Sequence, residues 1–259
     1  MTSANHPILF VGAGPGDPEL ITVKGQRALA GADAVLYTGS LVPQAVLQWA
    51  RPEARRESSA GMHLEAIVEF MRSAWRQGLR VVRLHTGDPS LFGAIFEQMA
   101  ALDEEGIDYR VIPGVTAAMA AAAALNLEFT LPEISQTLIL TRMEGRTPVP
   151  EGERLEALAA HGATLAIYLS VGMAARVGEV LRKAYGDEAP CAVVYRASQP
   201  DQKIVHTTAA RLAADVAAAG IERQAVIIAG RVLAVAREAL AHRSKLYDRG
   251  FAHGYRGET

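Results

Sequence analysis

The chain holds one cysteine, Cys191, among 259 residues, so an intrachain disulfide and a cysteine-ligated metal site are both excluded. Cys191 sits inside the apolar run Pro190-Cys191-Ala192-Val193-Val194, which predicts a buried, unreactive thiol. An excess of one charge is also missing, since 26 Lys and Arg stand against 28 Asp and Glu for a net −2. With no basic, aromatic-laced run either, nucleic acid and an anionic membrane surface are poor partners. No stretch of about 18 uninterrupted apolar residues occurs, and the alanine-rich run 117–125 is too short to cross a bilayer. Residues 1–7 lack the basic start and apolar core of a signal peptide; the expectation is a cytoplasmic protein.

Hydrophobic residues make up 50% of the chain and charged ones 21%, as in a folded globular protein. The length suits one large or two modest domains. In the first half, short apolar runs at 8–12, 34–37, 80–84 and 109–112 read as strands. They alternate with helical patterns at 22–30, 64–77, 92–102 and 116–125. Strand then helix, repeated, predicts a mostly parallel sheet covered on both faces.

The pattern breaks at 128–135, around Leu131-Pro132, and a domain boundary is placed there: 1–130, then 131–242, then a loose tail at 243–259. Beyond it, strands are expected at 137–141, 164–169, 192–195, 204–207 and 225–229, with helices at 155–161, 174–184 and 209–219. The segment 197–202 is short enough to close a hairpin, so the second sheet should be mixed. The fold class is α/β, with two α/β domains.

The first strand runs into Phe10-Val11-Gly12-Ala13-Gly14-Pro15-Gly16-Asp17-Pro18-Glu19. A dinucleotide fingerprint needs a third glycine where Asp17 stands, and a carboxylate there would repel pyrophosphate. Pro15 and Pro18 remove amide donors, and Asp33 precedes the second strand instead of ending it. A nicotinamide or flavin oxidoreductase is thus the lesser reading, and a stiff turn for a ligand with little or no phosphate is the better one. Two further strands end in small residues, at His85-Thr86-Gly87-Asp88-Pro89-Ser90-Leu91 and Pro113-Gly114-Val115-Thr116-Ala117. Such ends of parallel strands are where open α/β sheets bind ligands.

Together these stretches resemble the tetrapyrrole methylases, the S-adenosylmethionine-dependent enzymes of siroheme and cobalamin synthesis. The similar segments are VGAGPGDPELIT, ADAVLYTGSLV, AGMHLE, VVRLHTGDPSLFGA, VIPGVTAAMAAAA, QTLILTRMEGRTPVPE and VIIAGRVL, which span residues 8 to about 235. Within the family, YTGSLV, AGMHLE and ILTRMEGRTPVPE are most similar to the branch that methylates C11 of precorrin-4, with the metal-free and the cobalt-containing macrocycle both open. The resemblance implies two α/β domains with the cofactor in the cleft between them, and a homodimer. Carried over residue by residue, it implies S-adenosylmethionine contacts at Pro15, Thr86, Gly87, Asp88, Leu91, Thr116, Ala117, Leu169, Ala197 and, more weakly, Ala225.

Transfer of a methyl from sulfonium to carbon is an in-line displacement that demands alignment more than chemistry, so no metal is expected. Members acting on uroporphyrinogen carry an aspartate after the second-strand tyrosine and a lysine before the Ala-Gly-x-His segment; here Thr38 follows Tyr37, and Ser58-Ser59 precede Ala60. That departure disfavours uroporphyrinogen and leaves Asp17 as a weak candidate base, with a loop-stabilising carboxylate as the competing role. The substrate's carboxylates call for arginines near strand ends, which nominates Arg142, Arg146 and Arg196, along with Ser40 and His63. His63 has an alternative role as the cap of the 64–77 helix. A silent tetrapyrrole carrier and an RNA methylase of related fold are the remaining alternatives, the latter disfavoured by the charge balance.

Overall fold

The computed structural model describes residues 6–235 together with 244, 251, 252 and 254. By its contacts the chain divides into two compact units. One holds the residues up to Ala120 plus Arg196–Asp201, and the other holds Ala121–Tyr195 and the residues from Gln202 onward. The sequence reading sets the division at 130/131, and most of the expected tail lies outside the described residues.

The first unit is built on strands β1 (Ile8–Gly12), β2 (Ala34–Tyr37), β3 (Arg55–Ser58), β4 (Val81–His85) and β5 (Tyr109–Ile112). They lie in the order β3-β2-β4-β1-β5, and every pairing is parallel. Helices α1 (Val23–Gly31), α2 (Leu64–Arg76), α3 (Phe96–Asp103) and α4 (Ala117–Leu125) link them, α4 straddling the division between units. Side chains alternate across the sheet. Val11, Val35, Val82 and Leu84 pack with Ile21 and Leu29 on one face, while Ile8, Phe10, Leu36 and Val81 pack with Phe70, Met71 and Leu102 on the other. Adjacent strands β1 and β4 therefore send their chains to opposite faces, to α1 and to α3. In open α/β sheets the carboxyl ends of strands at such a reversal are where ligands bind.

The second unit carries β6 (Leu138–Arg142), β7 (Thr164–Tyr168), β8 (Pro190–Tyr195), β9 (Lys203–Thr208) and β10 (Ala225–Ala229), with α5 (Leu155–Ala159), α6 (Ala174–Tyr185) and α7 (Leu212–Ala218). The order is β6-β7-β10-β8-β9. Only β6 and β7 run parallel; β8 and β9 form the expected antiparallel pair, with Tyr195 opposite Lys203. Leu165, Ile167, Leu181, Leu212 and Ile227 fill its core. Cys191 lies in that core, 2% exposed, and burial pushes its thiol up to about 12.

One strand went unread from the sequence and two expected helices need correction. The strand β3, of sequence Arg-Arg-Glu-Ser, has no apolar signal and forms because its backbone extends the sheet beside β2. The helix expected from residue 92 starts at Phe96, since Phe92 and Ala94 take left-handed φ of 55° and 46° and Gly93 is pressed against the Pro89 carbonyl. The helix expected at 209–219 is shorter, Leu212–Ala218.

Candidate functional site

At the carboxyl ends of β4, β1 and β5 the backbones meet through glycine. A Cβ on Gly114 would lie 2.2 Å from the Gly87 carbonyl oxygen and 2.8 Å from the Gly12 Cα, and one on Gly12 would lie 2.6 Å from both Gly114 Cα and the Gly87 oxygen. No side chain can enter. The loops after β1 and β4 also pair directly: Gly87 N donates to Gly14 O at 2.8 Å, Gly14 N to Gly87 O at 3.2 Å, and Ala13 N to His85 O at 2.7 Å. The sequence-predicted residues Pro15, Thr86, Gly87 and Asp88 are thereby brought onto joined loops.

Asp88 ties this corner to the third loop. Its Oδ2 accepts from Gly114 N at 2.9 Å and its Oδ1 from Ser90 N at 2.8 Å, with the Ser90 hydroxyl also donating. Burial works against its charge, but the Ser90 hydroxyl and the Gly114 and Ser90 amides outweigh it and hold the carboxyl below its ordinary value. Thr116 and Ala117 begin α4 just beyond Gly114, with Met119 N donating to Thr116 O at 3.1 Å. Leu91 closes a turn on Asp88, its N–H donating to Asp88 O at 3.2 Å.

Asp17 caps the short 3-10 turn Pro18–Leu20, accepting from Glu19 N at 2.9 Å, and its own N–H donates to Ser198 Oγ at 3.1 Å. The segment Arg196–Asp201 belongs to this same unit. Within it Gln199 Nε2 donates to Pro15 O at 3.2 Å, and Arg196 Nε donates to Gln199 Oε1 at 2.8 Å. Arg196 also pairs with Asp201 at 2.9 Å, and Ala197 beside it is buried. Ser198 and Gln199 were not predicted; their partners lie 181 and 184 residues away in sequence, and no local pattern signals such a pairing.

Residues 7–213 match the family model for Tetrapyrrole (Corrin/Porphyrin) Methylases. The chain belongs to this family. A precorrin-4 C(11)-methyltransferase of Pseudomonas aeruginosa is 51% identical over 249 residues, covering 96% of this chain and 98% of that protein. A cobalt-precorrin-4 C(11)-methyltransferase of Methanocaldococcus jannaschii is 50% identical over 253 residues, 97% and 96% of the two chains. The X-ray structure of a cobalt precorrin-4 methyltransferase of cobalamin biosynthesis superposes with TM-score 0.87 at 47% identity, covering 90% of this chain and 98% of that one. A uroporphyrin-III C-methyltransferase from Thermus thermophilus, crystallised with S-adenosylhomocysteine, gives 0.75 at 30% identity, covering 89% and 100%. The oxidoreductase reading is set aside.

In this methylase, β4 carries two buried polar side chains. Arg83 is 3% exposed and donates through Nε to Gln98 Oε1 at 3.0 Å and through Nη1 to Ser59 Oγ at 3.0 Å and Leu36 O at 3.3 Å. These acceptors are all neutral, and burial lowers its pKa to about 10. His85, 4% exposed, lies against the Phe10 ring at 6.0 Å between centroids, and its Nε2 is buried with no hydrogen-bond partner. Burial, then the Arg83 charge, lowers its pKa to about 3. Both belong to the methylase's scaffold. A sequence signal was present, since two polar residues two apart interrupt an otherwise apolar strand.

Of the other predicted residues, His63 caps α2, its Nδ1 accepting from Ala66 N at 3.4 Å. Ser40 lies exposed in the turn after β2. Leu169 and Arg142 share a cavity of the second unit, about 670 Å³ in volume, with Arg146, Gly145, Met173 and Arg176. Leu169 is 67% exposed and has φ 52°, a strained conformation for a side chain of its size. Ala225 opens β10 opposite Tyr195. Among the described residues no helix is long and apolar enough to cross a membrane, and no group of three or more His, Cys, Asp or Glu could hold a metal ion.

Proposed function

We propose that this methylase transfers the methyl of S-adenosylmethionine to C11 of precorrin-4, as the free macrocycle or its cobalt complex, giving precorrin-5 in cobalamin synthesis. The observation that carries the reading is the glycine-walled meeting of three strand ends, in a chain half identical over nearly its whole length to enzymes named for that transfer. The cofactor fits the site's chemistry: backbone stripped of side chains lets three strand-end loops close on one another, and a turn stiffened by Pro15 and capped by Asp17 does not present an array of amides to phosphate.

When bound, S-adenosylmethionine supplies a methyl already activated by its sulfonium. What remains for the protein is positioning, which can supply roughly 7–11 kcal/mol of barrier reduction. In this reading Pro15, Thr86, Gly87, Asp88, Leu91, Thr116 and Ala117 hold the cofactor, and the family resemblance adds Leu169, Ala197 and Ala225. Asp88 acts by fixing two loops through the Gly114 and Ser90 amides, and Gln199 acts by holding the Pro15 carbonyl. Asp17 serves as the cap of the turn; its bonds to Glu19 favour that role over a base. Arg142, Arg146 and Arg196, with Ser40 and His63, are the substrate-side candidates. The same reading carries a cytoplasmic homodimer.

The test is incubation with precorrin-4 and methyl-labelled S-adenosylmethionine, followed by location of the label. Label at C11 is expected; label at another carbon keeps the family and rejects the assigned step. Gly87→Trp should abolish binding of S-adenosylhomocysteine.

A further inference from the structure

The cavity of the second unit is built for an anion. Arg142, Arg146 and Arg176 all line it, and none of its lining residues is acidic. It is walled as well by Gly172 and Met173, at the start of α6, a helix of 12 residues with no side-chain cap and no acidic residue in its first turn. Arg176 is the third residue of α6. A cation there faces the positive end of the helix dipole, an arrangement unfavourable to the helix by itself. At the other end Arg182 and Lys183 sit favourably in the last turn. A first-turn cation and two further guanidinium groups thus concentrate positive charge around one space.

The three arginines are not equivalent. Arg142 folds back on its own loop, donating through Nη1 to Met143 O at 3.4 Å and Thr147 O at 3.2 Å and through Nη2 to Pro148 O at 2.7 Å. It is the frame of the loop. Arg176 uses only Nη1, toward Glu144 O at 3.2 Å and Met173 Sδ at 3.7 Å, which leaves the Nε and Nη2 donors. Arg146 is exposed and enters no hydrogen bond or ion pair among the described residues. Beside them Leu169 projects into the same space in its strained conformation, giving the cavity an apolar wall.

We propose that Arg146 and Arg176 bind side-chain carboxylates of the macrocyclic substrate, and that Arg142 positions them by holding the loop. The inference rests on the tetrapyrrole reading and deepens it, adding Arg176 and separating a frame residue from two ligand-binding ones. Planar guanidinium groups suit carboxylates in paired geometry.

Uroporphyrin III and its octamethyl ester serve as probes, titrated by fluorescence quenching against wild type, Arg146→Gln, Arg176→Gln and Arg176→Lys. S-adenosylhomocysteine is titrated by calorimetry on each. Wild type should bind the free acid and not the ester. Each glutamine variant should weaken the acid by about tenfold or more, as expected for a lost charge-assisted hydrogen bond, with Arg176→Lys intermediate and S-adenosylhomocysteine affinity within about twofold throughout. Unchanged affinity for the acid in both glutamine variants overturns the proposal, as does a parallel loss of S-adenosylhomocysteine, which would make the cavity a nucleoside site. Methyl transfer by wild type to precorrin-4 is scored separately: arginine-dependent binding of the acid without that transfer retires the reaction and leaves the carboxylate site standing.

Discussion

The amide of Gly114 points at the carboxylate of Asp88 across 2.9 Å, so the loop after β5 is held by a residue on the loop after β4. Ser90 closes the same carboxylate from its other oxygen. One side chain therefore sets the relative position of two strand-end turns.

Replacing Asp88 by Asn should destabilise the protein by about 1–2 kcal/mol near neutral pH, because a carboxamide accepts through one oxygen where the carboxylate used two. The folded carboxyl titrates below its ordinary value of 3.8. Its contribution is accordingly present above that value and lost as pH falls through the folded one. Urea unfolding at about pH 7 and about pH 3 should show the gap between wild type and Asp88→Asn closing in acid; a gap that stays constant refutes the role assigned to its charge.

Gly114→Ala places a methyl 2.2 Å from the Gly87 oxygen, and backbone has to move to admit it. Overpacking of this kind costs about 1–3 kcal/mol, and the affinity for S-adenosylhomocysteine should fall about tenfold or more. Gly61→Ala is the control, since an added methyl there meets nothing within 4 Å. Calorimetric titration of both variants decides the matter.

His85 should govern part of the acid limb of stability. Its folded pKa is near 3 against an ordinary 6.5, so the unfolded chain takes up a proton that the folded one refuses. Stability present above about pH 6.5 is lost as pH falls toward about 3, by at most roughly 1.4 kcal/mol per pH unit. His85→Phe, which removes a buried nitrogen that has no partner, should flatten that slope while leaving the neutral-pH unfolding midpoint unchanged or higher. An undiminished slope in the variant would count against a buried neutral imidazole.

Arg83 and Gln98 form a buried polar pair whose loss should be strongly non-additive. Arg83→Leu alone takes the donor from Gln98 Oε1, Ser59 Oγ and the Leu36 carbonyl, at about 1–3 kcal/mol, while Gln98 still donates to Ala94 O and Ser59 to Tyr37 O. Gln98→Leu alone leaves the cation with one acceptor fewer. The double variant should fall short of the sum by about 1 kcal/mol or more, measured by a double-mutant cycle in urea. Simple additivity would mean that the two do not depend on each other.

Much of the architecture was legible because its punctuation is chemical. β1, β2 and β5 end at Gly12, at Tyr37 before Thr38-Gly39, and at Ile112 before Pro113-Gly114, and the structure ends them at the same residues. The three turns that meet at Gly12, Gly87 and Gly114 were readable for the same reason, since glycine, proline and aspartate punctuate strand ends. The missed features are those that no local pattern encodes. β3 is charged along its length and is a strand only by virtue of its neighbour. The start of α3 depends on the strained backbone at Phe92 and Ala94, where neither residue advertises positive φ. The latch from Ser198 and Gln199 to the glycine turn joins residues 181 and 184 apart in sequence, and Arg176 looks from sequence like any surface cation on an amphipathic helix.

That charged border strand has a bearing on how the protein survives at high concentration. The outer rim of the first sheet is Arg55-Arg56-Glu57-Ser58, with Arg55 laid over the Phe70 ring at 4.4 Å. A passing polypeptide that tried to zip onto this rim would have to strip water from three ionised groups and would gain little apolar contact in return. This edge of the sheet is thus poorly suited to seeding fibrils, and the absence of greasy residues along it is itself a form of protection.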